Sequence, residues 1–273
     1  MEQDILKFMH DHSLGTLPPS LAQQLSGKSF TAEVIGLSGA SVFSFNDAVL
    51  KIEAHTHEVD RSVAVTQWME KRLPVPKVLH YEVFEGKSYL LMSRIPGKMS
   101  CDEWYMEHSQ EAVRLLAEGL KRLWAVEPAG CPVEHTLEED LARARRNVAE
   151  GRIDREDLAR NAPEFDSPEA LLLWLEDHKP AYDPVVSHGD YCMPNVLLKD
   201  GQVSGFIDLA HAGIADRYSD LNDCYWSLGA NFGGFFGGKV YPDFDPDTLF
   251  EYLGIEPDWE KLKFYDRLGK LLG

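Results

Sequence analysis

SHGDYCMPNVLLKDGQVSGFID, residues 187–208, sets an acid, an amide and a second acid around a turn, and its reading decides the fold. Asp200-Gly201 stands between two short apolar runs, which is the strongest hairpin signal a short sequence offers. Asn195 precedes that turn by five residues and Asp208 follows Gly201 by seven, so both fall at the open end of the hairpin. Neighbouring strands run about 4.8 Å apart, close enough for an amide oxygen and a carboxylate to share one hard cation. Asp190 lies on the loop leading in. Magnesium prefers oxygen ligands and needs few of them from protein once phosphates are present, so Asn195 and Asp208 are expected to hold magnesium on a nucleotide.

The rest of the chain sets the frame for this segment. Its 273 residues lie near the size at which one core gives way to two, so one domain with two lobes, or two small domains, is expected. With 44% hydrophobic and 26% charged residues and no apolar run long enough to span a bilayer, the chain reads as a globular protein that avoids membranes. The opening MEQDILKFMHD carries acids where a signal peptide would carry bases, so a cytoplasmic protein is expected. Cys101, Cys131, Cys192 and Cys224 form no C-x-x-C pair, which suits reduced thiols and gives no structural metal site. The net charge is −18, with 9 basic and 11 acidic residues up to Arg94 but 18 basic and 34 acidic beyond it. An acidity concentrated in the second part repels nucleic-acid backbones and either favours cationic partners or serves solubility alone, and the small-molecule acceptor named below would be such a cationic partner.

Periodicity places the elements. TAEVIGLSGASVFSFNDAVLKIEA (31–54) alternates like antiparallel strands broken by turns, and HEVDRSVAVTQWMEKRL (57–73) reads as a helix ended by Pro74 and Pro76. KVLHYEVFEGKSYLLMSRI (77–95) gives two strands around Glu85-Gly86, and Pro96-Gly97 then marks a domain boundary. The domains are therefore 1–94 and 95–273. In the second, residues 111–126, 137–151 and 167–179 are helical, with Pro128 stopping the first and Ser167-Pro168 opening the third. A polar loop is expected between the last two. The segments from 246 onward are helical again, and GANFGGFFGGK (229–239) reads as a flexible loop.

His188-Gly189-Asp190-x-x-x-x-Asn195, followed by Asp208 beyond a hairpin, matches the kinase catalytic-loop pattern in which the aspartate accepts a hydroxyl proton and the asparagine binds metal. His188 is read as a support of the loop. Together with LPVPKVLHYE, GQVSGFIDL and GIADRYSDL, this segment resembles the aminoglycoside phosphotransferase family, most closely its 3′-hydroxyl-phosphorylating branch, over nearly the whole chain. The resemblance implies an α+β, two-lobed protein-kinase-like fold, with a small N-terminal antiparallel-sheet lobe that binds nucleotide and a larger, mainly helical C-terminal lobe that carries catalysis and the acceptor. It implies transfer of the γ-phosphate of ATP or GTP to an aminoglycoside hydroxyl, with Mg2+ as cofactor and antibiotic resistance as the outcome. Asp190 would be the catalytic base and would contact the acceptor. Lys51 would grip the α and β phosphates, Ser38 would lie on the turn covering the terminal phosphates, and Met92, Ser93 and Ile95 would belong to the linker that hydrogen-bonds the base.

The chain also departs from that family. Ser62 stands where a helix glutamate usually pairs with the lysine, and Glu58, one turn earlier, is the expected substitute, with Asp60 less well directed. Val49 replaces an aromatic residue that often stacks on the base, and Leu209-Ala210 follows the metal aspartate where D-x-G is usual. On the acceptor side Asp157 fits an expected carboxylate, whereas Arg160, Ala230, Asn231 and Gly269-Lys270 stand where other acids would be; Glu156 and the Gly273 carboxylate are further candidates. Three readings therefore stand: an aminoglycoside kinase, a kinase of another small alcohol, and a nucleotide-binding pseudokinase. Oligomeric state is left open.

Overall fold

The alternating residues after position 30 fold into β1 (Phe30–Glu33), β2 (Ser41–Phe45) and β3 (Ala48–Ala54), and those after position 77 into β4 (Val78–Phe84) and β5 (Lys87–Ser93). They form one antiparallel sheet in the order β1-β2-β3-β5-β4. In β3 the two-residue period buries Ala48, Leu50 and Ile52 and turns Val49, Lys51 and Glu53 to the other face. The buried face closes on helix α1 (Pro19–Leu25), whose Leu21 and Leu25 pack with Phe43, Phe45, Leu50 and Ile52. Each such side chain stabilises the fold by about 1.5–3 kcal/mol. The β4–β5 turn has Glu85 and Gly86 at φ 49° and 76°, the left-handed pair that matches strand twist. Helix α2 (His57–Met69) starts at Thr56, whose Oγ1 accepts the Val59 N–H, and carries Glu58 and Asp60 in its first turn, where acids suit the helix dipole.

The chain divides into two compact units, Met1–Ile95 and Pro96–Gly273. The structure, a computed structural model, describes residue 5, residues 16–33 and residues 40–272. Ser38 and Gly273 lie outside the described residues.

The second unit contains β6 (Lys98–Met99), α3 (Glu103–Glu107), α4 (Ser109–Trp124), α5 (Leu137–Ala149), α6 (Arg155–Asn161), α7 (Pro168–Asp177), β7 (Pro184–Ser187), β8 (Val196–Lys199), β9 (Gln202–Phe206), β10 (Gly213–Asp216), α8 (Arg217–Phe232), α9 (Thr248–Leu253) and α10 (Trp259–Leu272). An antiparallel-sheet unit followed by a mainly helical one makes the fold α+β. Strands β8 and β9 are the expected hairpin, with Asp200 and Gly201 at φ 51° and 71°, and β6 pairs along β8. Strand β7 pairs antiparallel with β10. Helix α4 is the centre of the core, with Leu115, Leu116, Leu120 and Leu123 wholly buried.

Caps set the helix ends. Thr136 and Glu139 form a capping box on α5, Ser167 caps α7 with Pro168 in its first turn, and Asp216 caps α8, each worth about 1 kcal/mol. Residues 155–161 are a helix rather than the expected loop, because the Asp154 carboxylate accepts the N–H groups of Glu156 and Asp157 at 2.8 and 3.1 Å and Leu158 is buried. Lys261 of α10 reaches Asp216 at 2.8 Å, with the two side chains 8% and 1% exposed, and also donates to the Ala181 carbonyl at 2.7 Å. That buried pair ties α10 to the start of α8. None of the four cysteines forms a disulfide among the described residues, and among those residues no helix is long and apolar enough to cross a membrane.

Candidate active site

The catalytic-loop segment leaves β7 at Ser187 and is held by Asp220 on α8. The buried Asp220 carboxylate accepts the Ser187 hydroxyl at 2.9 Å and the N–H groups of His188 and Gly189 at 2.9 and 2.8 Å. Burial raises its pKa in spite of those bonds. Gly189 has φ 78°, and a Cβ there would stand 2.0 Å from the His211 carbonyl oxygen, so only glycine fits. His188 is buried, and its Nε2 donates to the Ile207 carbonyl at 2.9 Å; its support of the loop is thus a direct brace to the strand end before Asp208. Tyr191 is also buried and donates to the Leu116 carbonyl on α4 at 2.8 Å. Gly119, unfavourable inside a helix, makes room for it: a Cβ at Gly119 would lie 2.1 Å from the Tyr191 hydroxyl.

These braces fix Asp190. Its carboxylate and its main-chain carbonyl accept the Asn195 amide nitrogen at 2.9 and 3.0 Å. Both partners of that nitrogen are acceptors, which assigns the amide unambiguously and leaves its oxygen free for a cation. Cys192 is partly buried beside Asp190. Burial first, and the Asp190 charge second, push its thiol up to about 12, so it stays a thiol and donates to Asp190 rather than acting as a nucleophile. Asn195 is joined to the far side of the hairpin by the Ile207 N–H to Asn195 carbonyl bond of 2.9 Å and by the Val196–Phe206 pairing, which sets Asp208 at the neighbouring strand end. Asp208 is exposed, has φ 59°, and has no hydrogen-bond partner among the described residues. That left-handed conformation is uncommon for a non-glycine residue, and aspartate adopts it more readily than most. No group of three or more His, Cys, Asp or Glu side chains among the described residues could hold a metal ion unaided. Two protein oxygens completed by phosphates and water suit magnesium, and Asn195 with Asp208 fit that ion.

A cleft of about 790 Å3 opens at Asp190 within the second unit. Five aspartates line it, Asp154, Asp157, Asp190, Asp223 and Asp266, against two cations, Arg152 and Lys270. Asp157, the expected acceptor carboxylate, is on that lining. Arg160 is not on the lining and instead stands 3.7 Å from Asp157, exposed. Glu156 is exposed and off the lining. Lys270 does enter the cleft, but Asp266 one turn before it pairs with it at 3.6 Å, which offsets the added charge. Asp154 keeps its pKa low through the N–H groups of Asp157 and Glu156. Asp223 behaves oppositely: burial, then the carboxylates of Asp220 and Asp190, hold its pKa well above the usual range. Sequence reasoning missed Asp154, Asp223 and Asp266. The D-R-E-D run at 154–157 was a readable cap signal; nothing local to 223 or 266 points into a cleft.

In the first unit, Lys51 lies near the middle of β3, and its Nζ pairs with Glu53 at 3.2 Å, both side chains about one-fifth exposed. The expected partner Glu58 is not the one it finds. Glu53 lies two residues on along the same strand face, whereas Glu58 is exposed at the start of α2, its pKa lowered by its own main-chain N–H and by Thr56. Asp60 accepts the Tyr81 hydroxyl at 2.6 Å, and Ser62 donates back to the Val59 carbonyl. Met92 lies inside the sheet between β3 and β4, and Ser93 exchanges main-chain and side-chain bonds with Lys77. Of the expected linker residues, Ile95 alone keeps its main-chain groups unpaired among the described residues.

The phosphotransferase enzyme family matches residues 31–265 of this chain. An aminoglycoside 3′-phosphotransferase of Enterococcus faecalis is 33% identical over 269 residues, covering 93% of this chain and 98% of that protein. One of Staphylococcus aureus is 32% identical over 268 residues with the same coverage. Among solved structures, an aminoglycoside-3′-phosphotransferase of type VIII aligns with a TM-score of 0.70 at 26% identity, over 96% of this chain and 98% of its own. A Streptomyces rimosus aminoglycoside phosphotransferase in complex with ADP and streptomycin shares the fold at a TM-score of 0.75 and 24% identity, over 93% and 96% of the two chains. A loop built around Asp190, its Asn195 partner and a match running nearly end to end lead to one conclusion: this chain belongs to the aminoglycoside phosphotransferase family.

Proposed function

We propose that the protein transfers the γ-phosphoryl group of ATP or GTP to a hydroxyl of an aminoglycoside, the 3′-hydroxyl, and so confers resistance from the cytoplasm. The observation that carries this reading is the Asp190 carboxylate, fixed by Asn195 at the mouth of a cleft lined by five aspartates. In the transfer the acceptor oxygen bonds to the γ-phosphorus while the bond from that phosphorus to the β–γ bridging oxygen breaks. The nucleoside diphosphate leaves with that electron pair, and the hydroxyl proton passes to Asp190. Such reactions need little covalent help from protein, so positioning and charge neutralisation do most of the work. Asp190 orients the hydroxyl and holds its proton. Asn195 and Asp208 would hold magnesium, which when bound neutralises charge on the phosphates. Lys51 is assigned to the α and β phosphates, with Glu53 orienting it, and the Ile95 main chain to the base. Asp157 and Asp266 attract the ammonium groups of the acceptor.

A second reading keeps the chemistry and changes the acceptor to another small alcohol; Arg152 and Lys270 on the lining favour it. The deciding experiment is a coupled assay of nucleotide turnover over a panel of aminoglycosides and neutral sugars, with the phosphate located by NMR on the product. Turnover with kanamycin-type acceptors phosphorylated at the 3′ position is the expected result. Turnover with other alcohols alone moves the assignment to the second reading, and magnesium-nucleotide binding without any turnover makes the chain a pseudokinase.

A further inference from the structure

Large aromatic side chains are exposed beside the acid-lined cleft. Trp226, Phe235 and Phe236 are 46%, 74% and 64% exposed, yet they touch one another edge to face, with centroids 6.0 Å apart for Trp226–Phe235, 6.1 Å for Trp226–Phe236 and 5.3 Å for Phe235–Phe236. The segment presenting them is anchored. Phe232 is buried, stacks on Phe244 at 3.7 Å, and accepts the Tyr241 N–H at its carbonyl, while the Phe235 N–H bonds to the Ala230 carbonyl. Gly234 at φ 74° makes the turn, and a Cβ there would meet Val240 at 2.8 Å. The Gly/Phe tract is thus the end of α8 and a hydrogen-bonded turn. A fixed turn that keeps three rings out of the core, two of them lining the cleft that holds Asp190, is built to meet a ligand.

The chemistry of that ligand follows from what shares the lining. The same cleft carries Asp157 and Asp266, and Asn231, whose amide nitrogen donates to the Ser227 carbonyl and hydroxyl, keeps its oxygen as an acceptor. A phosphate-bearing ring would meet repulsion there, and a wholly apolar one would desolvate those carboxylates without adding a cation. A saturated ring with a C–H face and flanking ammonium groups satisfies both halves of the lining, since aromatic faces attract C–H edges and cations alike. We propose that Trp226 and Phe236, each touching Phe235 edge to face, form an aromatic subsite that takes the C–H face of an amino-sugar ring of the acceptor, while Asp157 and Asp266 take its ammonium groups. This rests on the phosphotransfer reading above and names the part of the acceptor that the cleft recognises.

The test uses the full chain and the exposed positions Trp226 and Phe236, with melting temperature as a check on folding. For acceptors that the wild type turns over, Trp226→Ala and Phe236→Ala should each raise the acceptor KM about tenfold, with kcat and the nucleotide KM steady, and Trp226→Phe should restore most of the loss. An unchanged acceptor KM in both alanine variants, or a rise in the nucleotide KM instead, overturns the subsite. If the wild type turns over no aminoglycoside, the phosphotransfer reading fails by itself and the subsite is judged by tryptophan fluorescence. Saturable quenching by kanamycin that is absent in Trp226→Phe and is not produced by glucose supports it; no quenching that depends on Trp226 overturns it.

Discussion

The loop around Asp190 and the wall of the cleft beside it are built on opposite plans. In the loop almost every polar group is answered from within: Asp220 takes three donors, His188 braces Ile207, and Asn195 gives its amide nitrogen to Asp190. Asn195 keeps one oxygen, and Asp208 keeps its carboxylate. In the wall the rings are exposed, and five aspartates face two cations. Internal bonds make a loop rigid and indifferent to which acceptor arrives, because its geometry is set before binding. A wall with exposed rings and more acids than cations takes further partners from the ligand and therefore discriminates between ligands.

Substitutions can break or sharpen that contrast. The largest effect is expected from Asp190→Ala, which removes the group proposed to meet the reacting hydroxyl: turnover should fall about a hundred- to ten-thousandfold in a coupled assay while calorimetry shows nucleotide affinity nearly unchanged. Unaltered turnover would remove Asp190 from catalysis. Next comes the frame that carries both regions. Lys261→Met leaves Asp216 buried without its cation and should lower unfolding free energy by about 3–5 kcal/mol in urea titrations at constant slope. A loss below about 1 kcal/mol would show that the pair does not hold α10 to α8.

Asp223 stands on the border between the two plans. From the ordinary carboxylate range up to its raised value, the folded chain keeps a proton that the unfolded chain has released, so stability declines as pH rises through that window. Asp223→Asn stays neutral and escapes the decline. The variant and the wild type should therefore melt together at a pH of about 4 and separate in favour of the variant as pH rises to about 8. Curves that stay parallel would mean the carboxyl titrates normally. The smallest effect concerns the first unit: Glu53→Gln should raise the nucleotide KM about threefold and Glu58→Gln should leave it unchanged. The reverse order would return Glu58 to the place of the helix glutamate.

The parts of the molecule that sequence reveals are those decided locally. The Asp200-Gly201 and Glu85-Gly86 turns adopt the left-handed pairs their residues demand, and the alternation in β3 sorts Lys51 away from the core without reference to anything distant. Short or long-range features escape. Helix α6 spans two turns, too few for a periodic pattern, and is carried by one capping carboxylate. Asp223 and Asp266 enter the cleft only because α8 and α10 pack where they do, and Glu53 answers Lys51 through strand geometry that a helix-based expectation passes over.

The Asp216–Lys261 pair also has a temporal side. A ribosome makes the chain from the N-terminus, so Asp216 is translated and α8 can coil long before its lysine exists. Until that residue leaves the exit tunnel, a carboxylate meant for a dry interior must stay hydrated. Pairing at the start of α8 therefore waits for a residue made 45 positions after Asp216.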